Sequence, residues 1–271
     1  MNRLITLTTD FGLSDGFVGV MKGVILGINP RATIIDISHD ISPQNVEQAA
    51  FVLANAYRFF PANSIHVVVV DPGVGSARRP MAAKIGETIF VAPDNGVLTQ
   101  TISDQPSAVV HLNRPEYFLP QVSRTFHGRD IFAPVAAHLS LGVPIESLGD
   151  PIIDWVRLAA NDATRRDNQI VGRVVHIDHF GNAITNIGEE FLTGIDRASL
   201  TIRVGENVLR GIASTYAAVA ERAPLALISS SGNLEIAVRN GNAAEQLGIR
   251  WGDQVIVEAK SQGARSRLTD D

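Results

Sequence analysis

The sequence predicts an α/β domain with a largely parallel central sheet, followed by a smaller β-rich domain. Three observations carry that expectation. Apolar strand patterns alternate with helical patterns from residue 4 to about residue 141. The alternation stops after about residue 155, and the polar stretch NDATRRDNQ (161–169) follows. Beyond it come short strand-like runs with few helical patterns, as in a sandwich or barrel. The expected divisions are an N-terminal domain over 1–160, a linker over 161–169, a second domain over 170–260 and a polar tail over 261–271.

LITLTT (4–9) reads as a short buried strand ending at Asp10. FVGVMKGVILGI (17–28) reads as a helix, and Gly19, Gly23 and Gly27 predict close packing of that helix on a neighbour. TIIDIS (33–38) is a second strand. Ser42-Pro43 has the form of an N-cap with Pro at the first helical position. Behind it Val46, Ala49, Ala50, Leu53, Ala54 and Tyr57 fall on one helical face. SIHVVVVD (64–71) is apolar without alternation, as expected of a strand covered on both sides. AAKIG (82–86) and TIFVAP (88–93) form a hairpin-like pair, and 129–141 make a helix expected to bend at Pro134. In the second half, IVGRVVHID, ASLTIRVG, LALISSS, LEIAVR and QVIVEA supply the strands.

Composition narrows the function classes. Net charge is −5 and charged residues make up 19%, with no dominant basic face, which argues against nucleic acid as the main partner. The chain has no Cys, so disulfides, thiolate metal sites and a Cys nucleophile are excluded. MNRLITLTTDFG meets Asp10 before any long apolar run, so neither a signal peptide nor a membrane span is expected there. A soluble cytoplasmic protein is the expectation.

In open α/β sheets, ligands bind outside the carboxyl ends of the strands. Asp10, Asp36 and Asp71 stand at or near such ends. Asp10 continues into TTDFGLSDG, one short loop from Asp15; a carboxylate there suits a ribose diol, while Ser14 or Asp15 equally suits a helix cap. VVVVDPGVGSARRP (67–80) lacks the GxxxxGK[ST] pattern of a P-loop. Its glycines allow a turn that aims Arg78 or Arg79 back at Asp71, either as a structural ion pair or as part of a site. TFHGRDIFAP (125–134) places His127 just ahead of a helix. An Asp, an Arg and a His on Gly-bearing loops at one sheet edge form a catalytic candidate. HIDHFGNAITN (176–186) and SSSGNLEIAVRNGNAA (229–244) are further polar clusters. His176, Asp178 and His179 are disfavoured as metal ligands, because 176 and 178 share a strand face and 179 points away.

TTDFGLSDGFVGVMKGVI, HDISPQNVEQAA, VVDPGVGSARR, FHGRD, DHFGNAITN and SGNLEIAVRNGNAA occur in this order. Together they resemble the S-adenosyl-L-methionine (SAM) hydrolases, also called SAM hydroxide adenosyltransferases, relatives of the fluorinating and chlorinating SAM enzymes. The resemblance runs from about residue 4 to about residue 258. It implies an N-terminal α/β domain, a smaller C-terminal β-barrel, and a homotrimer whose active sites lie between neighbouring subunits. It implies Asp71, Arg78 and His127 as the catalytic set, Asp10 on the ribose, and Asp15, Asp178 and Ser230 at the methionine end. Phe180, Asn182, Asn242 and Ala243 are implied at the adenine. The halogenating relatives carry Tyr or a similar residue at the position of Asp71, so this chain resembles the water-using branch. Their aromatic near residue 44 is Gln44 here, so the ribose wall differs.

The implied chemistry suits these residue types. Methionine leaves C5′ of a sulfonium as a neutral thioether and needs no general acid. A water must be held in line with the C–S bond and partly relieved of its proton. Asp71 can accept from that water, Arg78 can hold Asp71 or the water oxygen, and His127 can position the water or relay the proton. No metal or redox cofactor is required. The competing expectations are a SAM- or adenosine-binding sensor with little turnover, and a halide-using adenosyltransferase.

Overall fold

The computed structural model describes residues 3–102, 106–159, 162–166 and 168–259. The chain divides into two compact units, Met1–Ala159 and Ala160–Asp271.

The first unit holds β1 (Leu4–Thr9), α1 (Phe17–Ile28), β2 (Thr33–Ser38), α2 (Val46–Ala56), β3 (Ile65–Val69), β4 (Pro80–Ile85), β5 (Thr88–Pro93), β6 (Ala108–Leu112), α3 (Ala133–Ser140) and β7 (Gly149–Pro151). The strands form one sheet in the order β2-β1-β3-β5-β4-β6-β7. The β2-β1-β3-β5 run is parallel, and β4, β6 and β7 extend it antiparallel. β3 sits inside this sheet and is buried along its whole length. Ile65, Val67 and Val69 join the core beneath α1 and α3, while Val68 and Val70 join the core on the other face with Ala49 and Leu53 of α2. The unalternating valines follow from that two-sided burial.

Three local expectations are corrected. Gly19, Gly23 and Gly27 lie exposed, with open space where a Cβ would stand. The face of α1 that packs is Val18, Met21 and Ile25 instead. The N-cap of α2 is Asn45, whose Oδ1 accepts from Gln48 N at 2.9 Å, because Gln44 before it takes a left-handed φ of 64°. Pro134 sits in the first turn of α3, which continues directly from a turn whose last N–H, that of Ala133, donates to Gly128 O. The irregularity expected there is a π-helical turn over Gly128–Phe132.

The second unit holds β8 (Thr164–Arg166), β9 (Gln169–Ile177), β10 (Ala183–Gly188), β11 (Leu200–Val204), β12 (Asn207–Arg210), β13 (Pro224–Ile228), β14 (Asn233–Val238), α4 (Ala243–Leu247) and β15 (Gln254–Ala259). Seven strands run in the order β12-β11-β15-β9-β10-β14-β13, and β8 pairs with β9. All of these ladders are antiparallel. The two ends of the sheet, β12 and β13, approach each other, so the sheet curls into a nearly closed barrel. Its interior is filled by Ile170, Val174, Ile187, Ile202, Ile236 and Val257 among others. Residues 164–166 of the expected linker are thus part of the sheet; the tail over 261–271 lies outside the described residues. No described helix is long and apolar enough to cross a membrane.

Candidate active site

β1 and β3 are parallel neighbours, with Thr9 opposite Val69. Their carboxyl ends therefore deliver Asp10 and Asp71 to the same edge of the sheet. A cavity of about 250 Å³ opens there, lined by Asp10, Phe11, Gln44, Asp71, Phe126 and His127 together with neighbouring residues. Asp10 is held by the backbone N–H of Gln44, which donates to Oδ2 at 2.8 Å.

After Asp71 the chain turns tightly. Val74 N donates to Asp71 O, and Ser76 N and Oγ both donate to Gly73 O. Gly75 has φ 77°, and a Cβ on it would stand 2.3 Å from Arg124 O. The turn therefore needs glycine both for its backbone angle and for its approach to the 124 segment. It returns Arg78 onto Asp71: Nε donates to Oδ1 at 3.0 Å and Nη2 donates to Oδ2. Nη2 also donates to Nδ1 of His127 at 2.9 Å. The Asp71 and Arg78 side chains are each only 6% exposed. Arg78 lies behind the cavity lining, over the ring of Phe132 at 5.5 Å, whereas Asp71 and His127 face the cavity.

The FHGRD loop is tied down locally. Buried Asp130 accepts from Ser123 N at 2.8 Å and from Arg129 Nε at 2.6 Å, and Phe126 N donates to Ser123 Oγ at 3.0 Å. Phe11, Phe17 and Phe126 form an edge-packed aromatic trio beside it, with centroids 5.3–5.8 Å apart. Burial, then the Arg78 charge, push His127 below the ordinary histidine value.

The second unit carries its own cavity of about 570 Å³, lined by Asp178, Phe180, Asn182, Tyr216, Asn240 and Asn242. Asp178 organises the turn between β9 and β10: Oδ1 accepts from Phe180 N and Asn182 N, and Oδ2 accepts from Asn182 Nδ2. Phe180 stands 71% exposed at the rim. Asn242 caps α4 through Glu245 N at 3.0 Å.

Two family models match the chain: the SAM hydroxide adenosyltransferase N-terminal domain over residues 5–149 and the C-terminal domain over residues 172–256. The chain belongs to the SAM hydroxide adenosyltransferase family. It is 38% identical over 260 residues to the (R)-S-adenosyl-L-methionine hydrolase of Salinispora tropica, covering 94% of this chain and 97% of that one. It is 29% identical over 289 residues to a fluorinase of Nocardia brasiliensis, covering 94% and 96%. Its fold is similar to the crystal structure of an uncharacterized conserved protein from Thermotoga maritima, with TM-score 0.87, 39% identity, and 93% and 99% of the two chains covered.

Against this adenosyltransferase fold, the residues singled out from the sequence fall into groups. Asp10, Asp71, Arg78 and His127 come together in the first unit; Asp178, Phe180, Asn182 and Asn242 come together in the second. Ala243 is buried at the start of α4, next to that group. Asp15 lies exposed outside the cavity lining, and α1 has no side-chain cap, so Asp15 and Ser14 do not play the capping part either. Ser230 sits exposed in the β13–β14 turn, at the far end of β14 from Asn240 and Asn242. That end borders a separate cavity of about 780 Å³ lined by Glu189, Arg197, Ser231 and Asn233. Arg79 is a structural tie: Nε donates to Asp94 at 2.9 Å and Nη1 to Asp154 at 2.8 Å. Among the described residues, no three His, Asp or Glu side chains converge as a metal site.

Sequence reasoning missed Tyr216 and Glu235. Tyr216 lines the second cavity, and its hydroxyl donates to Glu235 Oε1 at 2.6 Å. Glu235 is 3% exposed in the middle of β14. Burial first, with the Asp178 charge adding, pushes its carboxyl up; burial, then Glu235, pushes the Tyr216 phenol up. The signal was an acid inside the apolar run LEIAV, which is rarely buried without a partner.

Proposed function

We propose that this protein hydrolyses SAM at C5′ to adenosine and L-methionine. The observation that carries the reading is the joined Asp71, Arg78 and His127 set beside Asp10 at one sheet edge. Membership of the adenosyltransferase family, and relatives named for (R)-SAM hydrolysis over nearly the whole chain, support it.

Arg78 fixes Asp71 with two N–H donors, so the carboxylate keeps one orientation toward the cavity. Asp71 accepts a hydrogen bond from the attacking water, and His127 Nε2–H holds that water's oxygen from the other side. The water oxygen bonds to C5′ as the C5′–S bond breaks. The bond pair goes to sulfur, which leaves as a neutral thioether, and the water's proton departs by way of Asp71. Because the positive charge disperses as sulfur leaves, a cavity shielded from bulk water favours the step. The set needs neither metal nor redox cofactor for this displacement.

Asp10 takes the ribose hydroxyls, and the Phe180, Asn182, Asn242 and Ala243 cluster takes the adenine. Asp15, Asp178 and Ser230 are proposed at the methionine end. In this reading the first unit of one subunit and the second unit of its neighbour complete each site of a cytoplasmic homotrimer. The names of the relatives support a preference for the R configuration at sulfur.

The test is incubation with each sulfur epimer of SAM in ¹⁸O-labelled water. Adenosine carrying the label at O5′ is the expected product; unlabelled adenosine, or none, overturns the reading. Asp71→Asn is expected to lower kcat by about 10²–10⁴-fold while SAM still binds. Formation of 5′-chloro-adenosine in chloride buffer would favour halide transfer, and tight binding without turnover would favour a sensor.

A further inference from the structure

The HDISPQN segment (39–45) carries part of the family resemblance, yet the chemistry above gives its histidine no part. His39 follows β2 directly and is almost fully buried. Its Nδ1 lies 2.9 Å from Thr9 Oγ1, and Thr9 is the residue immediately before Asp10. Thr9 Oγ1 in turn accepts from Phe11 N at 3.3 Å, and the carbonyl of His39 accepts from Gly12 N at 2.8 Å. On its other side, His39 Nε2 lies 3.1 Å from Asp36 Oδ1, off the line of a well-aligned hydrogen bond. Asp36 is held by Lys22 Nζ at 2.6 Å.

The polarity of this chain is set from its far end. A carboxylate only accepts, so in the neutral ring the proton sits on Nε2 toward Asp36. Nδ1 then accepts from the Thr9 hydroxyl, and the Thr9 oxygen is left to accept from Phe11 N. Both sides of Asp10 are therefore pinned by one loop: Thr9, Phe11 and Gly12 through His39, and the Asp10 carboxylate through Gln44 N. An apolar side chain would fill the same interior space without the penalty of burying an imidazole and a hydroxyl. What it would not supply is a fixed angle for the Asp10 carboxylate.

We propose that His39 is a positioning residue that acts through Thr9 to set the ribose-binding geometry of Asp10. This rests on the reading of Asp10 as the ribose contact in SAM hydrolysis. A ribose contact is made in the bound substrate and in the transition state alike, so its loss raises KM and leaves kcat nearly unchanged.

The experiment is a double-mutant cycle on the full chain, with kcat and KM for SAM measured for wild type, His39→Ala, Asp10→Ala and the double variant. His39→Ala is expected to raise KM by about tenfold with kcat within about threefold, and to add little once Asp10 is gone. His39→Asn, which keeps a polar atom near the Nδ1 position, is expected to recover most of the KM. If His39→Ala does not fold, Thr9→Val removes the same link and takes its place in the cycle. Multiplicative effects of the two positions, or an unchanged KM in His39→Ala, overturn the proposal while leaving SAM hydrolysis standing. Absence of SAM turnover in the wild type overturns the functional reading and this inference with it.

Discussion

Arg78 Nη2 donates to Nδ1 of His127 across 2.9 Å while also binding Asp71. A guanidinium has only donors and does not give up its proton in proteins, so His127 Nδ1 must accept. The imidazole is therefore neutral, with its proton on Nε2. Burial, and then the Arg78 charge, push its titration downward, in agreement with that tautomer.

The first prediction concerns pH. His127 is neutral above the ordinary value of 6.5 and stays so somewhat below it. The log of kcat/KM should thus be flat near neutrality and fall on the acid side at a pH below 6.5. Protonation would place an N–H at Nδ1 against the Arg78 donor and break the set. Arg78→Lys, with one point of charge in place of a planar fork, should lower kcat by about 10²-fold. A profile that declines only above neutrality would contradict the tautomer.

Gly75→Ala should damage the same set from a distance. The added Cβ would meet Arg124 O at 2.3 Å, at a backbone angle that alanine adopts with strain. A loss of about 1–3 kcal/mol in stability is expected, with kcat falling more than binding. Thermal unfolding and steady-state kinetics check both halves. Gly86 has positive φ with open space around it, so Gly86→Ala should leave kcat at the wild-type level.

Tyr216→Phe and Glu235→Gln separate the two members of the buried pair. The first leaves the Glu235 carboxyl without its hydroxyl donor and should cost about 1–3 kcal/mol. Glutamine keeps an oxygen that can accept from Tyr216, so Glu235→Gln should cost less. Urea unfolding orders the two variants. The reverse order would show that the Glu235 charge, not the hydrogen bond, governs this wall of the cavity.

His66 should contribute an acid-sensitive part of stability. Its ring is fully buried, stacked on Phe90, with Nδ1 2.7 Å from Thr6 Oγ1, and burial pushes it down to about 4. The unfolded chain binds the proton near 6.5, before the folded chain does. Stability attributable to His66 is thus complete above 6.5, declines as pH falls toward about 4, and is then lost. The depression corresponds to roughly 3 kcal/mol. Unfolding free energies from urea titrations at neutral pH and near pH 4.5 should show wild type losing roughly 3 kcal/mol more than His66→Phe between the two.

Much of the first unit was legible in the sequence because short apolar strand runs alternate with helical patterns, as in the one-faced run of α2. The unbroken valines of β3 reported burial on both faces. The packing of α1 was misread because glycine spacing describes a smooth face without saying what covers it. The cap of α2 was misplaced because the left-handed turn at Gln44 leaves no mark on an ordinary glutamine. Asp71, Arg78 and His127 were legible as residues of Gly-bearing loops, but the bond from Arg78 to His127 joins positions 49 apart and no local pattern announces it. The acid inside LEIAV signalled a buried Glu235 but not that Tyr216, 19 positions away, is its partner, and the His39 link to Thr9 left no local pattern either.

The pairing of Thr9 with Val69 has a consequence for divergence. Two hydrogen-bonded strands lie about 4.8 Å apart whatever loops join them. The distance between Asp10 and Asp71 is therefore gauged by the sheet and not by the 60 residues between them. Insertions or deletions in the helices and turns of that interval can reshape the rim, and with it the choice of substrate, while the sheet keeps the spacing of positions 10 and 71.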